Sequence, residues 1–215
     1  MNRLYYKILV IGFLIIIGFS GKTTAQVDLF GGYGWQIGGK ARFYEGDINI
    51  KSNTQWHIGL DAYMAEGVAI RFEYSQMADA TADWIPLPGF SNLFPAERFL
   101  MDVHYFQLGA VRGMKMDKIE PYGLISLGAT WFAAQELTGA EIGDVTRFAA
   151  ALGGGIKIMP SDKVGIKLQA RLLLPMYFAG VGLWAGTGGG GVSVGAAIPI
   201  VQGDFTAGLV LRLGS

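Results

Sequence analysis

Residues 164–174 read VGIKLQARLLL, and this stretch decides the fold. Its even positions are all apolar, while Lys167, Gln169 and Arg171 stand between them. A repeat of two residues is typical of a β-strand that has one apolar and one polar face. This strand serves as the reference for the rest of the chain.

The same alternation recurs in seven further segments: residues 27–43, 54–65, 68–75, 98–112, 122–135, 148–158 and 205–213. Short polar connections near residues 66, 116 and 161 alternate with longer ones near residues 44–53, 79–97, 136–145 and 179–202. Short turns at one end and long loops at the other are typical of a transmembrane barrel. We therefore predict an all-β fold, a transmembrane antiparallel up-and-down β-barrel of eight strands.

Two segments bear on the strand count. Residues 78–97 contain three prolines, which cannot lie inside a hydrogen-bonded ladder, so the sequence predicts a long loop there. Residues 192–198 alternate well enough to form a further strand or a hairpin in the last loop. A barrel of ten strands is therefore the second choice.

The composition agrees with a barrel and argues against helical spans. Apolar residues make up 51% of the 215 residues and glycine contributes 33. Beyond residue 25, the one long run without charge is dominated by glycine. A helical span needs about 20 apolar residues, whereas closed strands satisfy every backbone group in lipid without helices.

Residues 1–25 predict a cleavable signal peptide. Arg3 and Lys7 precede an uncharged run from Ile8 to Phe19, which is followed by the small and polar residues 20–25. The apolar run is shorter than a spanning helix requires, so an uncleaved membrane anchor is the weaker interpretation. We predict a mature domain of residues 26–215 in the outer membrane of a Gram-negative cell.

Several classes of function are excluded by composition. The chain has no cysteine, which removes disulfides, thiolate metal sites and cysteine nucleophiles. Basic residues do not outnumber the 17 acidic ones and form no cluster, so we expect no nucleic-acid partner. We also expect no cofactor and no metal, a monomer, and contact with outer-membrane lipid.

The chain resembles the small outer-membrane barrels of the OmpA, OmpX and OmpW type. The resemblance covers residues 27–215 and rests on the signal peptide, the strand rhythm and the stretches Trp35–Lys40 and Ala151–Lys157. These stretches contain no residues typical of a catalytic or ligand-binding motif. The resemblance implies an eight-stranded barrel and leaves the function open.

A polar cluster is predicted inside the barrel, since the polar face of each strand would point inward. An eight-stranded barrel is filled by its own side chains, and charges there must pair. We therefore expect salt bridges that close the lumen, and we consider a histidine and carboxylate site for acid–base catalysis much weaker. The members of the predicted cluster are Arg42, His57, Asp61, Arg71, Glu73, Asp102, His104, Lys167 and Arg171.

Two loop features have alternative interpretations. Residues 186–191 match the glycine spacing of a dinucleotide-binding loop, but no strand–helix context accompanies them, so a surface loop or a strand bend is favoured. The apolar loop containing Trp84, Phe90 and Phe94 either contacts a hydrophobic ligand or partner, or covers the barrel mouth and joins the aromatic girdle.

Three functions remain open at this point. The leading hypothesis is a structural or surface-interaction protein with a lumen closed by side chains. The alternative is an OmpW-like conduit that passes small apolar solutes sideways into the membrane. An outer-membrane enzyme is the weakest, because no serine stands beside His57 and no motif of such an enzyme is present.

Overall fold

A computed structural model of the chain describes residues 26–42, 44–93, 95–186, 189–197 and 200–214, apart from the side chains of Arg42 and of residues 177–197. The predicted signal peptide and Phe94 lie outside the described residues. The described chain forms strands β1 (Val27–Ile37), β2 (Gly39–Arg42), β3 (Gly46–Ile50), β4 (Asn53–Ala65), β5 (Val68–Pro86), β6 (Glu97–Gly113), β7 (Ile119–Gln135), β8 (Glu141–Ile158), β9 (Val164–Gly186), β10 (Gly189–Ala197) and β11 (Gln202–Leu213). No helix long and apolar enough to cross a membrane occurs among these residues.

The strands close into a ring. β1, β4, β5, β6, β7, β8, β9 and β11 each pair antiparallel with the next, and β11 returns to β1 with Val27 opposite Leu213. The prediction of an eight-stranded up-and-down barrel is therefore confirmed. β2 and β3 prolong the first two barrel strands, and β10 forms a hairpin with β9 rather than a ninth barrel strand.

The predicted loop at residues 79–97 is wrong in its first half, because β5 continues to Pro86. The ladder to β6 shifts register between Met77 and Ala80, where Asp79 has a φ of 52°. This bulge takes up one extra residue on β5, and the ladder then resumes with Ala80 opposite Met101. Pro86 is the last residue of β5, where the missing N–H costs least. The loop is thus limited to residues 87–96.

An apolar belt surrounds the end of the barrel that carries the short turns. Each barrel strand contributes a large apolar side chain that is exposed on the outer face: Leu29, Ile58, Phe72, Leu108, Leu127, Leu152, Leu172 and Leu209. Water would be a poor solvent for such a continuous surface, whereas lipid tails would cover it. In outer-membrane barrels the short turns lie in the periplasm, and we orient the chain accordingly.

The strands are longer than a bilayer requires. A membrane strand needs roughly 9–11 residues, whereas β5 has 19 and β9 has 23. Above the belt the two faces exchange character. On β6, Leu108 points outward and Gln107 inward, but further up Asp102 points outward and Val103 inward. The barrel therefore continues beyond the membrane with a polar outside and an apolar inside.

The boundary between the two halves is a band of outward aromatic rings that we call the aromatic band. It consists of Trp56, Tyr74, His104 and Trp131 on four neighbouring strands, with His104 stacked on Trp131 at a centroid distance of 4.8 Å. Aromatic girdles mark the membrane interfaces of barrels. Above this level the lumen holds the upper core, which comprises Ala41, Ile50, Met77, Ala80, Ala82, Phe99, Met101, Val103, Tyr105, Phe132, Ala149, Ala151, Leu173 and Ile200.

Candidate functional site

Ten charged side chains point into the membrane half of the lumen, and we call them the lumenal network. They come from β1, β4, β5, β7, β8, β9 and β11 because each points inward at the polar position of its strand. Acids and bases occur in equal number. The members are Asp28, Asp61, Glu73, Glu120 and Asp204, with Arg71, Lys157, Lys167, Arg171 and Arg212.

Asp61 and Lys157 form the centre of the network. Arg71 donates two hydrogen bonds to the Asp61 carboxylate, at 2.6 and 2.7 Å. Lys157 Nζ donates to Asp61 Oδ2 at 2.8 Å, to Asp28 Oδ2 at 2.7 Å and to the Tyr63 hydroxyl at 2.9 Å. Parallel guanidinium–carboxylate bonds fix geometry as well as charge, so these side chains hold one arrangement across the lumen.

Glu73 joins the upper part of the network. Its carboxylate accepts from Gln169 Nε2 at 2.9 Å and lies 3.0 Å from Arg171 Nη1. Arg171 also donates to Asp204 on the adjacent strand β11 and to Ser75 Oγ at 3.2 Å. The guanidinium of Arg171 thus bridges from β9 to the facing strand β5.

Arg212 lies at the periplasmic end, where it lines a cavity of about 450 Å³ together with Glu120 and Lys157. It donates two hydrogen bonds to Asp28, at 2.8 and 3.0 Å, and two to Glu120, at 2.9 and 2.7 Å. These carboxylates lie on β1 and β7, so the contact again crosses the barrel. A buried charge is tolerated when it is paired and hydrogen-bonded, and this network meets that condition for all members except Lys167.

The structure brings together five residues of the predicted polar cluster. Asp61, Arg71, Glu73, Lys167 and Arg171 all lie in the lumenal network. His57 also points into the lumen, but neither ring nitrogen has a hydrogen-bond partner in the described part of the chain. The side chain of Arg42 lies outside the described residues.

The placement of Asp102 and His104 in the lumen is wrong. Both lie on the outer face of β6, where His104 Nδ1 lies 2.8 Å from the Tyr74 hydroxyl. Asp102 accepts a hydrogen bond from the backbone N–H of Asp79. The assignment failed because it placed polar side chains inward along the whole strand, whereas that rule ends at the aromatic band. His57 and His104 consequently lie on opposite sides of the barrel wall.

Half of the lumenal network was missed by the sequence prediction: Asp28, Glu120, Lys157, Asp204 and Arg212. The signal was present for Asp28, Lys157 and Arg212, which stand at polar positions of the predicted strands, whereas Glu120 and Asp204 lie just outside the predicted segments. Asp28, for example, faces the same way as the buried Gln36 on β1.

The predicted loop surface is divided in the structure. Trp84 lies in β5 rather than in a loop, and it packs against the upper core. Phe90 lies in the loop and meets Tyr44 edge-on, with ring centroids 5.5 Å apart. Phe94 is outside the described residues. The three residues therefore do not form a single described surface.

An apolar cavity of about 520 Å³ opens at the barrel mouth above the upper core. Its walls come from β3, β5, β6, β7 and β8, with Leu93 and Pro95 of the 87–96 loop at its edge. The apolar lining includes Ile48, Trp84, Phe99, Met101, Phe132 and Val145.

The glycine-rich segment at residues 186–191 has no nucleotide-binding context. Gly186 ends β9 and Gly189 begins β10, and the two residues pair in an antiparallel hairpin. A dinucleotide loop needs a helix at this point to receive the phosphates. Within the described ranges there is also no group of three histidine, cysteine or acidic side chains placed to hold a metal ion.

Solved structures with this fold are outer-membrane proteins. OprG from Pseudomonas aeruginosa superposes with a TM-score of 0.56 at 9% identity, covering 89% of this chain and 97% of that one. The fold is that of a small outer-membrane β-barrel. The barrel is also similar to Neisserial surface protein A, with a TM-score of 0.53 at 12% identity over 89% of this chain and 99% of that one.

A third similar structure was solved with a ligand. Ail, the attachment invasion locus protein of Yersinia pestis, was crystallised with the heparin analogue sucrose octasulfate, and it matches with a TM-score of 0.50 at 12% identity over 88% of this chain and 99% of that one. No protein-family model and no curated protein sequence matches the chain. These likenesses show the fold, and the apolar belt fits a barrel that spans a lipid bilayer.

Proposed function

We propose that the protein is a monomeric outer-membrane barrel that is closed to axial flow and works through its extracellular end. The observation that carries this proposal is the lumenal network, which crosses the lumen from β1 to β7 and from β9 to β5. An eight-stranded barrel leaves little room beyond its own side chains. Ten charged side chains in that space, with the upper core above them, argue against a continuous aqueous path along the described part of the lumen.

The exposed side chains at the extracellular end suit an apolar ligand or partner better than a polyanion. Tyr44 is 80% exposed and Leu93 is 72% exposed at the tip of the barrel. Exposed apolar groups far from the lipid belt favour contact with a partner or ligand.

Three cations of the extracellular outer face pair with carboxylates. Lys40 pairs with Asp47 at 2.7 Å, while Lys51 and Arg98 both pair with Asp83, at 3.0 and 2.7 Å. Arg98 and Lys51 hold the pKa of Asp83 below its usual range by hydrogen bonding to its carboxylate. We therefore do not propose that this barrel binds a sulfated ligand of the kind found with Ail.

Planar-bilayer recording tests the closed lumen. Purified barrel inserted into a bilayer is expected to give a flat current trace, while a water-filled porin inserted under the same conditions gives stepwise conductance. Current steps that scale with the amount of inserted barrel would contradict the proposal.

A second candidate is the conduit for apolar solutes, which two observations favour. The first is the apolar cavity at the mouth. The second is the seam between the first and last strands: the ladder from β1 to β11 ends at Ile37 and Gly203, and beyond it the described residues pair β2 with β3 and β10 with β9. An apolar solute entering the mouth could leave sideways there.

Solute uptake distinguishes the conduit from the closed interaction barrel. Val145→Asp places a charge in the cavity, whereas Ile85→Asp places one on the outer face of β5. If the barrel conducts apolar solutes, cells carrying V145D take up a labelled alkane more slowly than wild type, and cells carrying I85D do not. Equal uptake by cells with and without the barrel would reject the conduit.

The proposal contains no catalytic step. His57 and His104 cannot cooperate across the barrel wall, and neither is hydrogen-bonded to a carboxylate among the described residues. Should any activity be found, His57→Ala and His104→Ala would test their part in it while the gel shift of the unboiled barrel reports folding.

A further inference from the structure

Two inward positions of β1 have no side chain. Gly32 and Gly34 lie between the buried, inward-pointing residues Phe30 and Gln36. Both must be glycine, because a Cβ would stand 2.2 Å from the carbonyl oxygen of Ala207 at position 32 and 2.0 Å from that of Phe205 at position 34. The inner wall is therefore bare backbone at this level.

Polar side chains surround this bare backbone. Gly34 lies opposite Gln55 on β4 and Thr206 on β11. Gly32 lies opposite His57 on β4 and Gly208 on β11, and Gly208 in turn lies opposite Lys167 on β9. We call Gln55, His57, Lys167 and Thr206 the polar niche.

Among the described residues, none of the polar atoms of the niche has a hydrogen-bond partner, although Lys167 Nζ lies 4.0 Å from the Glu73 carboxylate. The side chains of Gln55, His57, Lys167 and Thr206 are exposed by only 1%, 2%, 1% and 5%. Both amide atoms, both ring nitrogens, the ammonium and the hydroxyl are buried without a hydrogen bond. Such a concentration in one place is unusual, because the large majority of buried polar atoms are hydrogen-bonded.

The niche is bounded below and above. Below it, Phe30 has its ring centroid 3.1 Å from Lys167 Nζ and 6.0 Å from the His57 ring. Above it, Gln202 Oε1 accepts hydrogen bonds from Gln36 Nε2 at 3.3 Å and from the Tyr105 hydroxyl at 2.5 Å. Tyr105 belongs to the upper core, so the apolar region begins directly above this row.

We propose that the polar niche binds a cluster of ordered water molecules in the middle of the lumen, beside the wall formed by β1 and β11 and among the side chains of the lumenal network, below the upper core. Leaving buried polar groups unbonded costs free energy for each group, whereas a buried water makes about three hydrogen bonds. The niche offers donors and acceptors together, since the Gln55 amide, the Thr206 hydroxyl and the neutral His57 ring can each do both. Water matches that mixture.

An anion fits the niche less well. With Lys167 counted, the lumenal network has as many bases as acids, so an added anion would leave an uncompensated buried charge. Gln55 Oε1 and the unprotonated nitrogen of His57 also require donors, which a halide does not supply. The inference is independent of the proposed function, because it concerns the side-chain packing of the barrel and not its partner.

A crystal structure of the barrel grown in bromide, at a resolution that shows ordered water, tests the proposal directly. The expected result is ordered density without anomalous signal within hydrogen-bond distance of Gln55, His57 and Thr206. An anomalous bromide peak there would assign the niche to an anion, and an empty niche would show that it is dry. Either result overturns the proposal.

Thr206→Val gives a second test, because valine has nearly the same shape and no hydroxyl. If water satisfies Thr206, the variant is expected to unfold at a lower urea concentration than wild type, since the water loses a partner. In a dry niche, removing an unbonded hydroxyl would raise the midpoint instead. The exposed Thr146→Val is the control and should leave the midpoint unchanged. If T206V does not fold, the bromide crystal of the wild type decides alone.

Discussion

Replacing Lys157 by methionine should destabilise the barrel strongly. The ammonium of Lys157 donates to Asp28, Asp61 and Tyr63 at 2.7, 2.8 and 2.9 Å, and its side chain is only 2% exposed. Methionine fills a similar volume without charge. The variant therefore removes three hydrogen bonds and leaves the lumenal network with one excess negative charge, with little change in packing.

The magnitude follows from burial. Removing one partner of a buried ion pair costs roughly 3–5 kcal/mol, because the remaining charge stays in a medium that solvates it poorly. The lower end applies here, since Asp28 keeps Arg212 and Asp61 keeps Arg71. We expect a loss of about 3 kcal/mol in the free energy of unfolding.

Reversible urea unfolding in phospholipid vesicles, followed by tryptophan fluorescence, measures this loss. Lys51→Met is the matched control, because Lys51 also pairs with a carboxylate, at 3.0 Å to Asp83, but is 48% exposed. An exposed pair contributes at most about 1 kcal/mol. If K157M and K51M lose the same free energy, the lumenal network does not stabilise the barrel as argued.

Three further results are expected. Gly34→Ala should prevent closure of the β1–β11 seam, because its Cβ would lie 2.0 Å from a backbone oxygen, and the unboiled protein would then migrate as unfolded chain. Leu209→Arg in the apolar belt should lower the free energy of unfolding in vesicles by roughly 2–4 kcal/mol. Ile85→Arg above the aromatic band should lower it little. Equal losses would show that the aromatic band does not mark the membrane boundary. Arg98→Ala should raise the pKa of Asp83 toward its usual value, because it removes a hydrogen bond to the carboxylate; acidification then breaks the remaining pair with Lys51 at a higher pH. Carboxyl-carbon NMR titration measures this change, and an unmoved pKa would refute it.

Strand alternation was enough to predict the barrel, because a closed sheet in lipid repeats one simple pattern. It was also enough to place Arg71, Glu73 and Arg171 inside, since they stand at polar positions within the belt. The same argument failed for Asp102 and His104. Alternation has the same period above and below the aromatic band, and the sequence alone does not mark where the solvent outside changes from lipid to water.

Other features of the structure depend on local backbone conformation or on contacts between distant residues, and the alternation of polar and apolar residues does not reveal them. The extension of β5 to Pro86 requires the bulge at Asp79, which shifts the register by a local change in backbone conformation. The bonds from Lys157 to Asp28 join residues 129 positions apart. Lys157 and Asp28 come together only because the strands close into a ring. The sequence alone does not show which residues face each other across the lumen.

The exchange of inner and outer faces at the aromatic band has a thermodynamic consequence. Lipid tails are as apolar as the belt they cover, so expulsion of water contributes little to holding the membrane half together once it is inserted. The upper core is shielded from water itself, and burial of that kind produces a large heat-capacity change on unfolding. Temperature should therefore change mainly the stability of the half that extends beyond the membrane. The thickness and composition of the bilayer should change mainly the stability of the membrane half.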